Sequence, residues 1–294
     1  MDGPYRRARR LRSKAMLVAV HTALWVETWG EDLAPHVERA AGLGFGGAEA
    51  SLLGLDEPAA ERLATVADGC GIALRCTTGL SAAQDITSAD PALRAAGIES
   101  LRAAADTVAA AGADTLTGVI YAPWGGASSE SRADRLGRAA DALGSVAARF
   151  GERGITLGIE AVNRFETDLV NTAAEALALA LATGAVNVGV HLDTFHMNIE
   201  ERSISAALTA AGDSLVHVHL VDNDRGAPGN GHIDWEDVFD GLAASGYDGW
   251  IGLELFVQAG LSVSPDLRIW RPIEADPTAA AVAGLAFVTR HLAA

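Results

Sequence analysis

From residue 15 onward the chain repeats one unit: a short apolar run, a polar loop, then an Ala-rich amphipathic stretch. The unit recurs eight times. Runs with strand character lie near 16–20, 45–49, 72–76, 114–120, 155–160, 186–192, 214–220 and 249–254. Stretches with helical periodicity lie near 32–42, 57–70, 91–111, 131–152, 172–183, 203–211, 235–245 and 277–292. Glycines at 44, 71, 112, 154, 184 and 246 stand where helices should end. Alternating strands and helices build a parallel sheet, and right-handed crossovers keep the helices on the outside. Eight units therefore predict a (β/α)8 TIM barrel. No Pro- or Ser-rich linker divides the chain, so residues 15–294 are expected to form a single domain.

Residues 1–14 do not fit the unit. Arg6, Arg7, Arg9, Arg10, Arg12 and Lys14 make a basic tail ahead of the apolar run 15–20. That run meets His21 at once and supplies the first strand, so the tail is read as a disordered extension and not as a signal peptide. No run approaches the roughly 20 apolar residues of a membrane span. The formal net charge of −16 argues against a nucleic-acid partner, whose phosphates need Lys and Arg. Cys70 and Cys76 are too few and wrongly spaced for a disulfide framework or a zinc knuckle, and a cytoplasmic location is expected.

In such a barrel the chemistry sits at the C-terminal ends of the strands. There the sequence places His21 after strand 1, Glu49 after strand 2, Glu160 after strand 5, Asp193 and His196 after strand 6, His219 after strand 7 and Glu254 after strand 8. Taken singly, Asp193 reads equally well as a helix cap and His196 as a surface residue. Glu160, Asp193, His219 and Glu254, however, come from four consecutive strands. Three carboxylates and one imidazole form a mostly hard ligand set suited to Mn²⁺, Co²⁺ or Mg²⁺. Without a cation the carboxylates would repel and raise one another's pKa. His217 and His219 share a face, and the deeper His217 is expected to be a core residue. Cys76 reads as a small buried hydrophobe.

The segments Glu160-Ala-Val-Asn-Arg-Phe-Glu166, Leu192-Asp-Thr-Phe-His-Met-Asn-Ile-Glu-Glu201, His217-Val-His219 with Arg225, and the glycine loop Pro228–Trp235 resemble those of the ketose 3-epimerases. These are the D-tagatose and D-psicose (allulose) 3-epimerases of the xylose-isomerase-like barrels, and the resemblance covers the chain after residue 15. It implies that Glu160, Asp193, His219 and Glu254 hold a divalent metal, most readily Mn²⁺. It also implies that Glu160 and Glu254 act as the acid–base pair. Glu166, His196 and Arg225 would bind the sugar's carbon-1 and carbon-2 oxygens, and Trp25, Trp124 and Phe256 would shape the pocket. Homodimers or homotetramers are the implied assemblies. Two departures touch the substrate more than the metal site: Leu255 follows the last ligand, and Leu220-Val-Asp-Asn-Asp224 follows strand 7. The latter is similar to hydroxypyruvate- and inosose-type isomerases.

The chemistry implied is proton transfer beside a carbonyl. A metal on the carbon-2 oxygen stabilises an enediolate, while one carboxylate removes the carbon-3 proton and a carboxylic acid on the other face returns one. No phosphate-binding glycine loop is present, so free sugars are expected over sugar phosphates, and the resemblance implies ketoses of the tagatose, psicose, fructose or ribulose type. Competing expectations are a keto–aldose isomerase, a keto-sugar lyase, a metal-dependent nuclease and a non-catalytic sugar-binding protein.

Overall fold

Strict alternation along a strand sends successive side chains to opposite faces. In this chain it sorts them cleanly. Val18, Val20, Ala48, Ala50, Leu74, Cys76, Leu116, Leu157, Ile159, Val190, Leu192, Val218, Ile251 and Leu253 belong to one apolar cluster. The residues alternating with them are small or polar. The computed structural model describes residues 16–293, and the basic extension expected at 1–14 lies outside the described residues.

The strands are β1 (Val18–His21), β2 (Gly47–Ser51), β3 (Ala73–Leu80), β4 (Thr115–Pro123), β5 (Thr156–Glu160), β6 (Val188–Asp193), β7 (Leu215–His219) and β8 (Ile251–Leu253). They pair in sequence order, all parallel, and β8 closes on β1. The long helices packed between them are α1 (Ala34–Gly42), α2 (Glu57–Cys70), α3 (Pro91–Ala110), α4 (Arg132–Gly151), α5 (Ala173–Ala182), α7 (Ile204–Ala211), α8 (Trp235–Ser245) and α9 (Pro277–Leu292); a short helix α6 (Thr194–Glu200) follows β6. Side-chain caps start most of them, such as Asp56 on the Ala59 amide and the Thr172–Glu175 capping box. Gly71 and Gly246 end α2 and α8 in the left-handed conformation. Among the described residues no helix is long and apolar enough to cross a membrane.

The (β/α)8 barrel expected from the sequence is therefore present, with local differences. Strand β2 runs on to Ser51, so Glu49 lies inside the strand and not at its end. Strand β8 stops at Leu253, leaving Glu254 just beyond. Helix α6 occupies the interval between the expected strand 186–192 and helix 203–211, and Asp193 caps it by accepting the Phe195 amide at 2.7 Å. Strand β7 carries a bulge: Val190 pairs with Leu215 and His191 with His217, leaving Val216 as an extra residue.

The barrel axis itself is polar. Gly158 and Gly189 leave room for Val216, whose methyl carbons would lie 3.1 and 2.4 Å from a Cβ at those positions. Gly47 likewise leaves room for Trp250, over which Arg75 stacks. Above them Glu49, His191, His217 and His219 are all buried. Bulky aliphatic layers usually fill this space; here, Val216 and Trp250 apart, the large apolar strand side chains named above lie on the alternate face, toward the helices. Burial pushes the Cys76 thiol up to about 12, which fits its expected role as inert packing.

The loop after β7 is organised by Asp222, which is fully buried. Its carboxylate accepts from the amides of Asn223 and Gly229 at 2.9 Å each, from the Ile233 amide, and from the Trp235 indole. A Cβ at Gly231 would meet Asp222 Oδ1 at 2.0 Å, so only glycine fits there. Burial pushes the Asp222 carboxyl up, but these donors outweigh it and hold it below its ordinary value. Asp222→Asn replaces an acceptor by a donor facing donors and should cost about 1–3 kcal/mol in urea unfolding at pH 7. A depressed carboxyl contributes stability above its unfolded pKa of about 4 and loses it as pH falls through the folded value. The difference between the two proteins should therefore shrink at about pH 3, and a penalty unchanged by acid contradicts this account.

Candidate active site

The C-terminal mouth of the barrel holds a cleft lined by His21, Trp124, Glu160, Glu166, His196, Arg225, Glu254 and Phe256, among others. Glu160 comes from the end of β5, Asp193 from β6, His219 from β7 and Glu254 from just past β8. Register places Asp193 beside His219, and His219 beside Gly252. One ligand atom from each of Glu160, Asp193, His219 and Glu254 lies within 4.8 Å of the others, and all four residues are buried. His219 Nδ1 stands 3.6 Å from Asp193 Oδ2 and 3.6 Å from Glu254 Oε1. Donors so spaced can share one centre at about 2.0–2.5 Å.

Hydrogen bonds decide which atoms remain for a cation. Asp193 Oδ1 is committed to the Phe195 amide, so Oδ2 faces the cluster. His219 Nε2 bonds Glu49 Oε2 at 2.8 Å; an ionised carboxylate only accepts, so Nε2 carries the hydrogen. Nδ1 is buried and has no hydrogen-bond partner. A buried imidazole nitrogen with no partner, set among three carboxylates, fits a divalent cation.

Electrostatics agree. Burial pushes the Glu160 carboxyl up, the charges on Glu254 and Asp193 add to this, and it lies well above its ordinary value. Burial also pushes Glu254 up, but His219 and Arg225 outweigh it and hold that carboxyl low. Without a cation, the two glutamates facing the cleft are thus driven in opposite directions. Burial lowers the His219 imidazole, yet Glu49 and Glu254 outweigh that and raise it well above its usual value. A cation at Nδ1 would meet the same need for positive charge.

Arg225 completes the site. Its Nη1 donates to Asp193 Oδ2 and Glu254 Oε2, both at 2.8 Å. Its guanidinium lies over Phe195 and Phe256, at 4.2 and 5.0 Å from the ring centres. The sequence allows a surface pair with Asp222 or Asp224; the structure instead turns Arg225 inward from a left-handed backbone, φ +70. That conformation is costly for a side-chain-bearing residue and is held by bonds to Asp222 and Phe256 backbone. His196 Nδ1 accepts from the Asn163 amide at 3.1 Å, and burial holds its pKa low, so it is neutral with Nε2 protonated. Nε2 lies 3.0 Å from Arg225 Nη2. Both nitrogens border the cleft, where a ligand oxygen lying beside the pair can accept from each. Glu166 accepts from the Trp124 indole at 2.9 Å and from Asn163 Nδ2 at 3.3 Å.

Of the aromatic residues expected to shape the pocket, Trp124 and Phe256 line the cleft and Trp25 does not. The short 3-10 turn Thr22–Leu24 carries Trp25 away to stack on His36, with Arg39 over its ring. Trp29 takes the place expected of Trp25, and its indole bonds Asp266 Oδ2 at 2.8 Å, tying the loop after β1 to the loop after β8. Trp29→Ala should raise KM for the substrate about tenfold with little loss of stability. Trp25→Ala should cost about 3–5 kcal/mol of stability and leave KM unchanged. Steady-state kinetics and denaturant melts on both variants check the pair. Sequence reasoning also passed over Asn163, whose amide fixes the His196 tautomer, and the inward course of Glu49.

Residues 37–290 match the family described as xylose isomerase-like TIM barrel. The chain is 33% identical to the D-psicose 3-epimerase of Agrobacterium fabrum, over 86% of this chain and 90% of that one. It is 37% identical to the L-ribulose 3-epimerase of Mesorhizobium japonicum, over 78% and 76%. Among solved structures, a D-psicose 3-epimerase crystallised in the presence of D-fructose superposes with a TM-score of 0.90 at 32% identity, covering 95% of this chain and all of that one. The strand-end carboxylates, the buried histidine and these likenesses agree: the chain belongs to the xylose isomerase-like TIM-barrel family, in its group of ketose 3-epimerases, and is an isomerase.

Proposed function

We propose that this enzyme inverts carbon 3 of free ketoses, of the D-psicose, D-fructose, D-tagatose and L-ribulose kind, with a divalent metal, Mn²⁺ or else Co²⁺ or Mg²⁺, held by Glu160, Asp193, His219 and Glu254. The single observation carrying the reading is the meeting of these four buried side chains around one point, with Glu160 and Glu254 lining the cleft.

The cation, when bound, supplies Lewis acidity to the sugar's carbonyl oxygen. The chain does the rest. Arg225 and His196 Nε2 donate hydrogen bonds toward the oxygens at carbons 1 and 2, where negative charge develops as the carbon-3 proton leaves. Glu166, braced by Trp124 and Asn163, accepts from a sugar hydroxyl in the same region. One of Glu254 and Glu160 takes the proton from one face of carbon 3 and the other delivers one to the opposite face; the reverse reaction exchanges the roles. Phe256 and Trp124 cover the apolar face of the sugar and keep water out. Cys70 and Cys76 are both free, which suits a cytoplasmic setting. The assembly proposed is a homodimer or homotetramer, read by light scattering.

The experiment is a Mn²⁺-supplemented assay on fructose, psicose, tagatose and ribulose, with products separated by chromatography. Interconversion of carbon-3 epimers is expected. An aldose product, a cleaved sugar or an unchanged panel rejects the reading.

A further inference from the structure

Beneath the proposed metal ligands lies a carboxylate that the reaction does not use. Glu49, from β2, is fully buried inside the barrel. Its Oε2 lies 2.8 Å from His219 Nε2 and its Oε1 2.6 Å from His217 Nε2. One carboxylate thus faces the two inward imidazoles of β7. On the neighbouring strand β8, Gly252 makes the space: a Cβ there would sit 2.5 Å from both Glu49 Oε1 and His219 Cδ2. The absent side chain leaves a slot in which acid and ring lie against the strand. His191 closes the far side, packed edge-on against His219 with ring centres 4.2 Å apart.

We propose that Glu49 is a positioning residue of the metal centre: it holds His219 in the Nε2–H tautomer and aims the Nδ1 lone pair at the point shared by Glu160, Asp193 and Glu254. The physical need is clear. A neutral imidazole offers a lone pair on only one nitrogen, and an unrestrained ring can present either. A hydrogen bond to the remote nitrogen settles the tautomer, fixes the ring plane and strengthens the ligating nitrogen as a donor. Partners of this kind typically change metal affinity 10–100-fold. His217, on the other carboxylate oxygen, keeps Glu49 from rotating away. Its identification as a core residue and its contact with Glu49 are therefore two sides of one arrangement.

The inference rests on the proposed metal site, and the test separates the two. Full-length protein stripped with chelator is titrated with Mn²⁺, and free ion is followed by electron paramagnetic resonance. Wild-type protein should bind one Mn²⁺ per chain; no binding by wild type rejects the metal site itself. Glu49→Gln should retain the metal-free fold by circular dichroism and thermal midpoint, yet bind Mn²⁺ 10–100-fold more weakly. Its kcat should recover toward wild type at saturating Mn²⁺, because no group that touches substrate has changed. If Glu49→Gln does not fold, Glu49→Asp keeps the charge but cannot span both rings, and it should show the same weakening. Wild-type binding with unchanged affinity in a folded Glu49 variant overturns the role of Glu49 alone. Two Mn²⁺ per chain overturns it as well, since His191, His217 and His219 would then hold the second ion and His219 Nε2 would be a ligand.

Discussion

Glu160→Gln and Glu254→Gln should each slow ketose epimerisation by about 10²–10⁴-fold at saturating metal, and the two variants should differ in the exchange that survives. Inversion needs one group on each face of carbon 3. Amide replacements keep an oxygen for the cation but can neither take nor give the proton. The glutamate left in each variant still faces one epimer of a pair. In D₂O, loss of the carbon-3 proton should persist with that sugar and stop with its partner, and the preference should reverse between the two variants. Proton NMR of the carbon-3 resonance reads this directly. Equal exchange from both epimers in either variant removes the assignment of one glutamate to each face.

The second large effect concerns the cation. Chelation should abolish turnover, and Mn²⁺ or Co²⁺ should restore it. At a free-ion concentration 100 times the dissociation constant the folded state gains about 2.7 kcal/mol. For a chain of this size that is about 5 °C in thermal midpoint. The pH dependence has a definite sign. Glu49 and Glu254 raise the His219 imidazole well above its ordinary value in the metal-free protein, so a proton competes for Nδ1. Affinity for Mn²⁺ should climb as pH rises toward and through that raised value. An affinity flat between pH 6 and 9 is the result that would contradict it.

Much of this is legible in the sequence. A strand buried on its outer face announces itself as an apolar run, and the first polar residue after it marks the catalytic end of a barrel. That is why Glu160, Asp193, His219 and Glu254 could be named together from spacing, and why their meeting at one point follows once the barrel closes. What was not legible has physical causes. Glu49 looked like a strand end because β2 begins two residues later than its hydrophobicity implies. The bulge at Val216 has no signature; His217 and His219 kept their shared face only because both lie beyond it. Trp25 and Trp29 are four residues apart in a loop with no period, and a three-residue turn decided which one faces the cleft. Asp193 proved to be both the cap that a cautious reading allows and a member of the acidic cluster, since its two oxygens do different work.

The polar axis of this barrel sets two different tolerances for sequence drift. On the shell where strands meet helices, a side chain answers to volume, and an exchange such as Ile159→Val leaves a small void that neighbours can absorb. Along the central shaft a side chain answers to donors and acceptors, and no swap of equal size rescues Glu49, His217 or Asp193. Relatives diverging from this chain should accumulate changes in the outer ring freely while the shaft stays fixed letter by letter.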